Sequence, residues 1–310
     1  LDRLPNSEKS MPDSSLLSIA NARIDKLTCS LNTEIQHLFI QRDDLIHPIV
    51  SGNKWRKLQG SLERAKIEKL DGIISYGGAF SNHLIATAEA CRIFQFPCTL
   101  IVRGEELTPH SNPCLSFCHR AGAKLLFAER SEYQELKKRD GIILFNGKKL
   151  LSVPEGGANR LGVEGCMNIV DPSDAFDIIA LAQGTTTTSL GILLGSHPSS
   201  EIWCFPALKG FNALREMEQL ATATGYLSEY NQQKHRLRIF DEFHYGGYAK
   251  KREQVINELA EISFNPPILL DPIYTGKAFL GLLSEVRKSN FSKKKILFIH
   301  TGGVRSNALL

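Results

Sequence analysis

The chain has 310 residues, 42% hydrophobic and 23% charged, with a formal charge of +4, which is the composition of a globular protein long enough for two domains. So small a positive charge argues against a nucleic-acid partner, and Lys293-Lys294-Lys295 reads as a solvated turn. No apolar run is long enough to span a bilayer, residues 1–20 lack the basic start and apolar middle of a secretion signal, and the seven cysteines lack metal-site spacing, so buried thiols in the cytoplasm are expected.

Residues 1–48 read as a lead-in arm plus one strand at 37–41. Apolar runs predict further strands at 72–75, 98–102, 124–127, 177–182, 201–205, 236–240 and 296–300. Helical spacing appears at 55–69, 82–94, 113–121, 190–195 and 275–287. The alternation predicts an α/β fold with parallel sheets flanked by helices. A smaller domain is expected at 49–165, and a larger one from 1–48 with 166–310. The cleft between them is the default ligand site. The glycine turns Gly77-Gly78, Gly156-Gly157, Gly184 and Gly302-Gly303 each follow an apolar run, so they are placed to line one crevice beyond the strands' carboxyl ends.

Lys54 follows Ser51-Gly52-Asn53 and opens a helical segment. Such a lysine is ordinarily a solvated charge. Here the turn Ser75-Tyr76-Gly77-Gly78-Ala79-Phe80-Ser81-Asn82-His83 follows it, with polar groups able to face a carbonyl bound to the amine. That pairing points to the aldehyde cofactor pyridoxal phosphate, whose lysine must be partly unprotonated. Gly184-Thr185-Thr186-Thr187-Thr188 joins a strand to a helix. It reads either as a capped linker or as a phosphate site built from free N–H groups and hydroxyls without a lysine. Ser81 is an N-cap or a carboxylate grip, Asn82 a donor to the cofactor's phenolate oxygen, and His83 more a helix residue than a base. Tyr274 is a candidate acid/base, Thr275 a cap or a partner of the pyridine nitrogen, and Tyr248 a second tyrosine after Gly246-Gly247.

Seven stretches together resemble the pyridoxal-phosphate family of 1-aminocyclopropane-1-carboxylate deaminases and D-cysteine desulfhydrases. They are Gln41-Arg42-Asp43-Asp44-Leu45, Gly52-Asn53-Lys54 with Arg56-Lys57-Leu58, Gly77-Gly78 with Ser81-Asn82-His83, Pro154-Glu155-Gly156-Gly157, the Gly184–Thr188 loop, Asp271-Pro272 with Tyr274-Thr275-Gly276-Lys277, and His300-Thr301-Gly302-Gly303. The resemblance implies a tryptophan-synthase-β-like fold, PLP fold type II, with the cofactor between two domains and a homodimeric assembly. It implies that Lys54 binds the cofactor and carries protons, that Asn82 touches the phenolate oxygen, and that Gly184, Thr185, Thr186, Thr187 and Thr188 hold the phosphate. Ser81 and Tyr274 would act on the substrate. Asn82, His83, Gly156, Tyr248 and Thr301 would complete its pocket.

Four departures from the family pattern bear on the substrate. Thr186 and Thr187 stand where two glycines are usual, so the loop must take another path or hold the phosphate slightly farther off. Phe80 replaces a glutamine and Trp55 a small polar residue, which is expected to add aromatic area near the cofactor. Thr275 stands where ring-opening deaminases usually carry glutamate. A threonine offers the pyridine nitrogen only a neutral hydrogen bond, which favours elimination of a good leaving group over ring opening. The expected enzyme is therefore a PLP-dependent lyase that acts on a small β-substituted amino acid such as D-cysteine, giving pyruvate, ammonia and sulfide. The alternatives are 1-aminocyclopropane-1-carboxylate deamination and, in another class, cofactor binding with little or no catalysis.

Overall fold

The computed structural model describes residues 17–30, 37–288, 291 and 293–303. The first part of the expected lead-in arm, 1–16, lies outside them. Along the chain run β1 (Ile24–Lys26), β2 (Thr28–Cys29), β3 (Leu38–Gln41), α1 (Asn53–Ile67), β4 (Gly72–Gly78), α2 (Asn82–Ile93), β5 (Cys98–Arg103) and α3 (Pro113–Arg120). Next come β6 (Lys124–Ala128), α4 (Arg130–Leu136), β7 (Gly141–Phe145), β8 (Lys148–Val153), α5 (Arg160–Met167), β9 (Ile178–Gln183), α6 (Thr187–Gly195) and β10 (Glu201–Pro206). The remainder is α7 (Ala213–Thr224), α8 (Leu227–Gln233), β11 (Leu237–Ile239), α9 (Arg252–Ala260), β12 (Phe264–Asn265), α10 (Thr275–Lys288) and β13 (Ile296–Ile299).

Two main sheets result. One has the order β6-β5-β4-β8-β7, the other β1-β3-β13-β9-β10-β11, and a small pair joins β12 to β2. The central pairings β4 with β5 and β8, and β9 with β10 and β13, are parallel. Their strands are continuous apolar runs because both faces are covered. Along β9, Ile178, Ala180 and Ala182 enter one core while Ile179 and Leu181 enter another. In β13, Ile296 and Phe298 go to the first, Leu297 and Ile299 to the second. The predicted strands are all present, and the short one at 236–240 is confined to Leu237–Ile239.

Helix α1 follows the helical period. Trp55, Leu58, Leu62 and Ala65 face the core of the five-stranded sheet. Trp55 stacks on Phe94 at 5.7 Å between ring centroids and 17° between planes. This overturns the expectation that Trp55 adds aromatic area near the cofactor. It is the residue after Lys54, and the turn of the helix carries it into the core instead.

Contacts too tight for any Cβ set where α1 and α6 lie. A Cβ on Gly165 of α5 would stand 1.9 Å from the Arg56 carbonyl oxygen in α1, and one on Gly191 of α6 would stand 2.4 Å from Cys166 Cβ. Helix α5 is thereby pressed against both neighbours, bringing their N-termini to the same crevice.

Candidate functional site

The N-terminus of α1 is seated on the end of β13. Gly52 has φ of +61°, and a Cβ there would lie 1.9 Å from the Thr301 carbonyl oxygen, which also accepts from Asn53 N–H at 3.3 Å. Lys54 Nζ donates to Asn53 Oδ1 at 2.7 Å, and Asn53 Nδ2 donates to Thr188 Oγ1 at 2.9 Å. Asn53 thus joins the lysine to the start of α6. Burial, and then the charge of Lys57, lower the Lys54 pKa to about 7, against the opposing pull of Asp271. Lowering the pKa this far makes the free amine, the form that attacks a carbonyl, accessible near neutral pH.

Lys57 lies one helical turn on and is 2% exposed. Its Nζ donates to Thr185 Oγ1 at 3.3 Å, and burial lowers its pKa. A buried ammonium resting on one long bond to a hydroxyl is poorly compensated. Thr187 Oγ1, two residues beyond Thr185, is buried without a partner among the described residues. The first N–H groups of α6 have no acceptor within their own helix. Cation, orphaned hydroxyl and helix N-terminus together fit a phosphate group. Sequence reading found the threonine loop but supposed that it worked without a lysine. The signal it passed over was the spacing of Lys54 and Lys57, which places both on one helix face.

The threonines divide their work. Thr186 has φ of −78°, so the turn is built without the left-handed conformation that glycines would permit. Thr186 Oγ1 reaches the Glu216 carbonyl oxygen at 3.5 Å and Thr188 accepts from Asn53. Thr185 is left exposed at the turn, whereas Thr187 is buried in the first turn of α6. Gly184 lies against Tyr274, whose Cε1 would be 3.1 Å from a Cβ at that position. Gly156, with φ of +71°, closes on Thr185, where a Cβ would stand 2.6 Å from Cγ2.

The turn after β4 supplies the opposite wall. Ser81 caps α2, its Oγ accepting from Leu84 N–H at 3.4 Å, which leaves its hydroxyl proton for another acceptor. Asn82 Nδ2 would lie 3.9 Å from a Cβ on Gly303, at the end of β13. His83 is buried and turns toward Ser75. Ser75 Oγ donates to the Val153 carbonyl oxygen at 2.8 Å and so accepts from His83 Nε2 at 2.9 Å. Burial, then Lys57 and Lys54, push the His83 pKa down to about 3. It is a neutral residue buried in the first turn of α2, packed on the five-stranded sheet through Ser75. Phe80 is 48% exposed.

Asp271 organises the start of α10. Its carboxylate accepts from Ile273 N–H at 3.0 Å, Tyr274 N–H at 2.8 Å and Thr275 N–H at 2.9 Å. Thr275 Oγ1 accepts from Asp271 N–H at 2.9 Å and donates to Asp271 Oδ2 at 2.7 Å. The Thr275 proton is therefore already engaged, which sequence reading had not foreseen, and only a lone pair of the hydroxyl is left for a ligand. Tyr274 and Tyr248 stand edge to face at 6.0 Å, and burial raises the pKa of both. Thr301 is buried at the end of β13. No described helix is long and apolar enough to cross a membrane, and no cluster of described side chains could hold a metal ion.

Known proteins share this architecture. The chain is 30% identical over 307 residues to a protein of Arabidopsis thaliana named bifunctional D-cysteine desulfhydrase/1-aminocyclopropane-1-carboxylate deaminase, mitochondrial, covering 86% of this chain and 72% of the relative. It is 26% identical over 300 residues to a D-cysteine desulfhydrase of Serratia proteamaculans, covering 91% and 90%. A crystal structure described as an ACC deaminase homologue superposes with a TM-score of 0.72 at 26% identity, covering 97% of each chain. The structure of maize serine racemase, at 12% identity and a TM-score of 0.58 over 91% of this chain and 89% of that one, shares the fold. Residues 22–302 match the family described as pyridoxal-phosphate dependent enzyme, and the chain belongs to that family as an enzyme of the deaminase and desulfhydrase type, with fold type II.

Proposed function

We propose that the enzyme eliminates the β-substituent of a small amino acid, with D-cysteine the first candidate and pyruvate, ammonia and sulfide the products. The observation that carries the reading is the Lys54 amine, with a pKa near 7, beside a phosphate cradle of Lys57, Thr185 and Thr187. Pyridoxal phosphate, when bound, supplies the aldehyde carbon and the electron sink at the substrate's Cα. Lys57, Thr185, Thr187 and the N–H groups of residues 184–188 would hold the phosphate. Asn82 would meet the phenolate oxygen and Thr275 the pyridine nitrogen. Lys54 would hold the aldehyde in the resting protein and, once freed by the incoming substrate amine, would take the Cα proton. The Cα–H electron pair becomes a Cα–Cβ double bond, and the Cβ–S pair leaves on sulfur. The Tyr274 hydroxyl, kept protonated by burial, would protonate the leaving group. Ser81 grips the carboxylate, and Gly156, Tyr248 and Thr301 line the pocket. The released enamine takes up water to give pyruvate and ammonia. A homodimer is part of the same proposal.

One observation favours a second reading, ring opening of 1-aminocyclopropane-1-carboxylate. The Asp271 carboxylate stands directly behind Thr275 and binds its proton. The hydroxyl thus presents a lone pair that would suit a protonated pyridine nitrogen, the form that makes the stronger electron sink. Assay of the cofactor-loaded enzyme with D-cysteine, L-cysteine and 1-aminocyclopropane-1-carboxylate separates the cases. Pyruvate from D-cysteine as the dominant product supports elimination. Predominant 2-oxobutyrate from the cyclopropane substrate reverses the order. Inertness toward all three leaves cofactor binding without this catalysis.

A further inference from the structure

Lys277 is 1% exposed and lies in the first turn of α10. A cation there is opposed both by burial and by the positive end of the helix dipole. Its Nζ donates to the His244 carbonyl oxygen at 2.9 Å and to the Gly247 carbonyl oxygen at 2.8 Å. The same two carbonyls also accept Gly247 N–H at 3.0 Å and Lys250 N–H at 3.2 Å, respectively. The ammonium thus sits at the centre of the loop that carries Tyr248.

That loop is poorly specified by its own backbone. Tyr245, Ala249 and Lys251 have φ of 52°, 52° and 49°, and Gly246 and Gly247 have φ of 86° and 118°. Three side-chain-bearing residues in the left-handed region are each disfavoured. The remaining fastenings are Tyr245 hydroxyl to Glu258 Oε2 at 2.8 Å and Gly246 N–H to His244 Nδ1 at 2.8 Å. Neither ties the loop to α10. Lys277 does, together with the hydrogen bond between the Tyr248 and Tyr274 hydroxyls, and Tyr274 lies three residues before Lys277 on the same face of that helix. The Tyr248 and Tyr274 rings meet at 6.0 Å.

We propose that Lys277 is a positioning residue that fixes the Tyr248 loop against Tyr274, so that one turn of α10 sets both tyrosines of the substrate wall. The proposal rests on the functional reading above for what the tyrosines contact, and on the hydrogen bonds alone for what Lys277 holds.

The test compares holoenzyme of the wild type, Lys277→Met and Lys277→Arg. Amide hydrogen exchange at residues 244–250 is expected to rise at least tenfold in Lys277→Met and to stay near the wild-type rate in Lys277→Arg, with the cofactor absorbance retained in both. If Lys277→Met does not yield folded protein, Lys277→Gln, which lacks the reach and the charge, carries the same comparison. With D-cysteine, KM is expected to rise about tenfold or more in Lys277→Met with a smaller change in kcat. That rise should vanish when Lys277→Met is made in a Tyr248→Phe background, since Lys277 acts through Tyr248. Unchanged exchange in the loop overturns the proposal, as does an equal KM penalty in both backgrounds. If no amino acid is turned over, the functional reading fails while the exchange comparison still decides what Lys277 holds.

Discussion

Lys54 and Lys57 form an asymmetric pair in which the charge of the second depresses the pKa of the first. The sign follows directly. Above pH 7 the Lys54 amine is mostly neutral and captures an aldehyde; below it the ammonium cannot. Capture of pyridoxal, which has no phosphate, by apoprotein is expected to rise with pH and level off beyond an inflection near 7. In Lys57→Met the inflection should move to higher pH, while affinity for the phosphorylated cofactor falls about 100-fold, the order expected for losing a charged hydrogen-bond partner. Stopped-flow absorbance checks both. An inflection unmoved by the substitution would mean that burial alone sets the Lys54 pKa. Lys54 was legible in the sequence because its glycine-polar turn and the serine turn after it belong to one chemistry. Lys57 was less so, since a lysine in a helix reads as solvated until the strand and loop opposite it are known. The direction of the Thr275 proton and the placement of Trp55 were hidden for the same reason: both depend on what packs beside them.

At the scale of elements, the site is held by how closely three helices approach. Helix α5 lies between α1, which carries Lys54, and α6, whose N-terminus offers the phosphate cradle, and Gly165 lets it rest on the Arg56 carbonyl. Gly165→Ala is expected to cost about 1–3 kcal/mol of stability through overpacking and to weaken phosphate binding by moving α1 from α6. Denaturant titration of the apoprotein with and without inorganic phosphate measures both effects. An unchanged midpoint would show that α5 yields without moving its neighbours. The buried parallel strands were readable because coverage on both faces makes them uninterrupted apolar runs. The β7–β8 hairpin was passed over, although Asn146-Gly147 between two apolar stretches is a strong turn signal and both residues have positive φ, 49° and 74°. Helices α8 and α9 bury only Tyr230 and Val255, too little to mark a period, whereas α7 buries Ala213, Met217, Leu220, Ala221 and Thr224 at helical spacing and was legible but passed over.

Across the whole molecule, one ion pair ties the larger sheet to the lysine helix. Arg56 donates Nη2 to Asp43 Oδ1 at 2.8 Å and Nε to Asp43 Oδ2 at 3.0 Å, and Gln41 Nε2, at the end of β3, also donates to Asp43 Oδ1 at 2.9 Å. Arg56 Nη1 reaches the Asn168 carbonyl oxygen at 2.8 Å. Arg56→Met strands a fully buried carboxylate, and a loss of about 3–5 kcal/mol in unfolding free energy is expected; a loss below about 1 kcal/mol in chemical denaturation would mean that the pair is hydrated. The alternation of elements made the α/β class readable. The division near residues 48 and 165 stands as a proposal, supported by the separate cores of the two sheets. What the order of motifs could not convey is how α5 closes one unit onto the other, because that depends on backbone contacts at glycines far apart in sequence. The most direct test of the account is the visible absorbance of cofactor-loaded wild type and Lys54→Ala, recorded before and after D-cysteine with pyruvate measured alongside. The expected result is a cofactor band that is lost in Lys54→Ala and that in the wild type changes with D-cysteine as pyruvate appears. A band that survives in Lys54→Ala, with turnover intact, would contradict it.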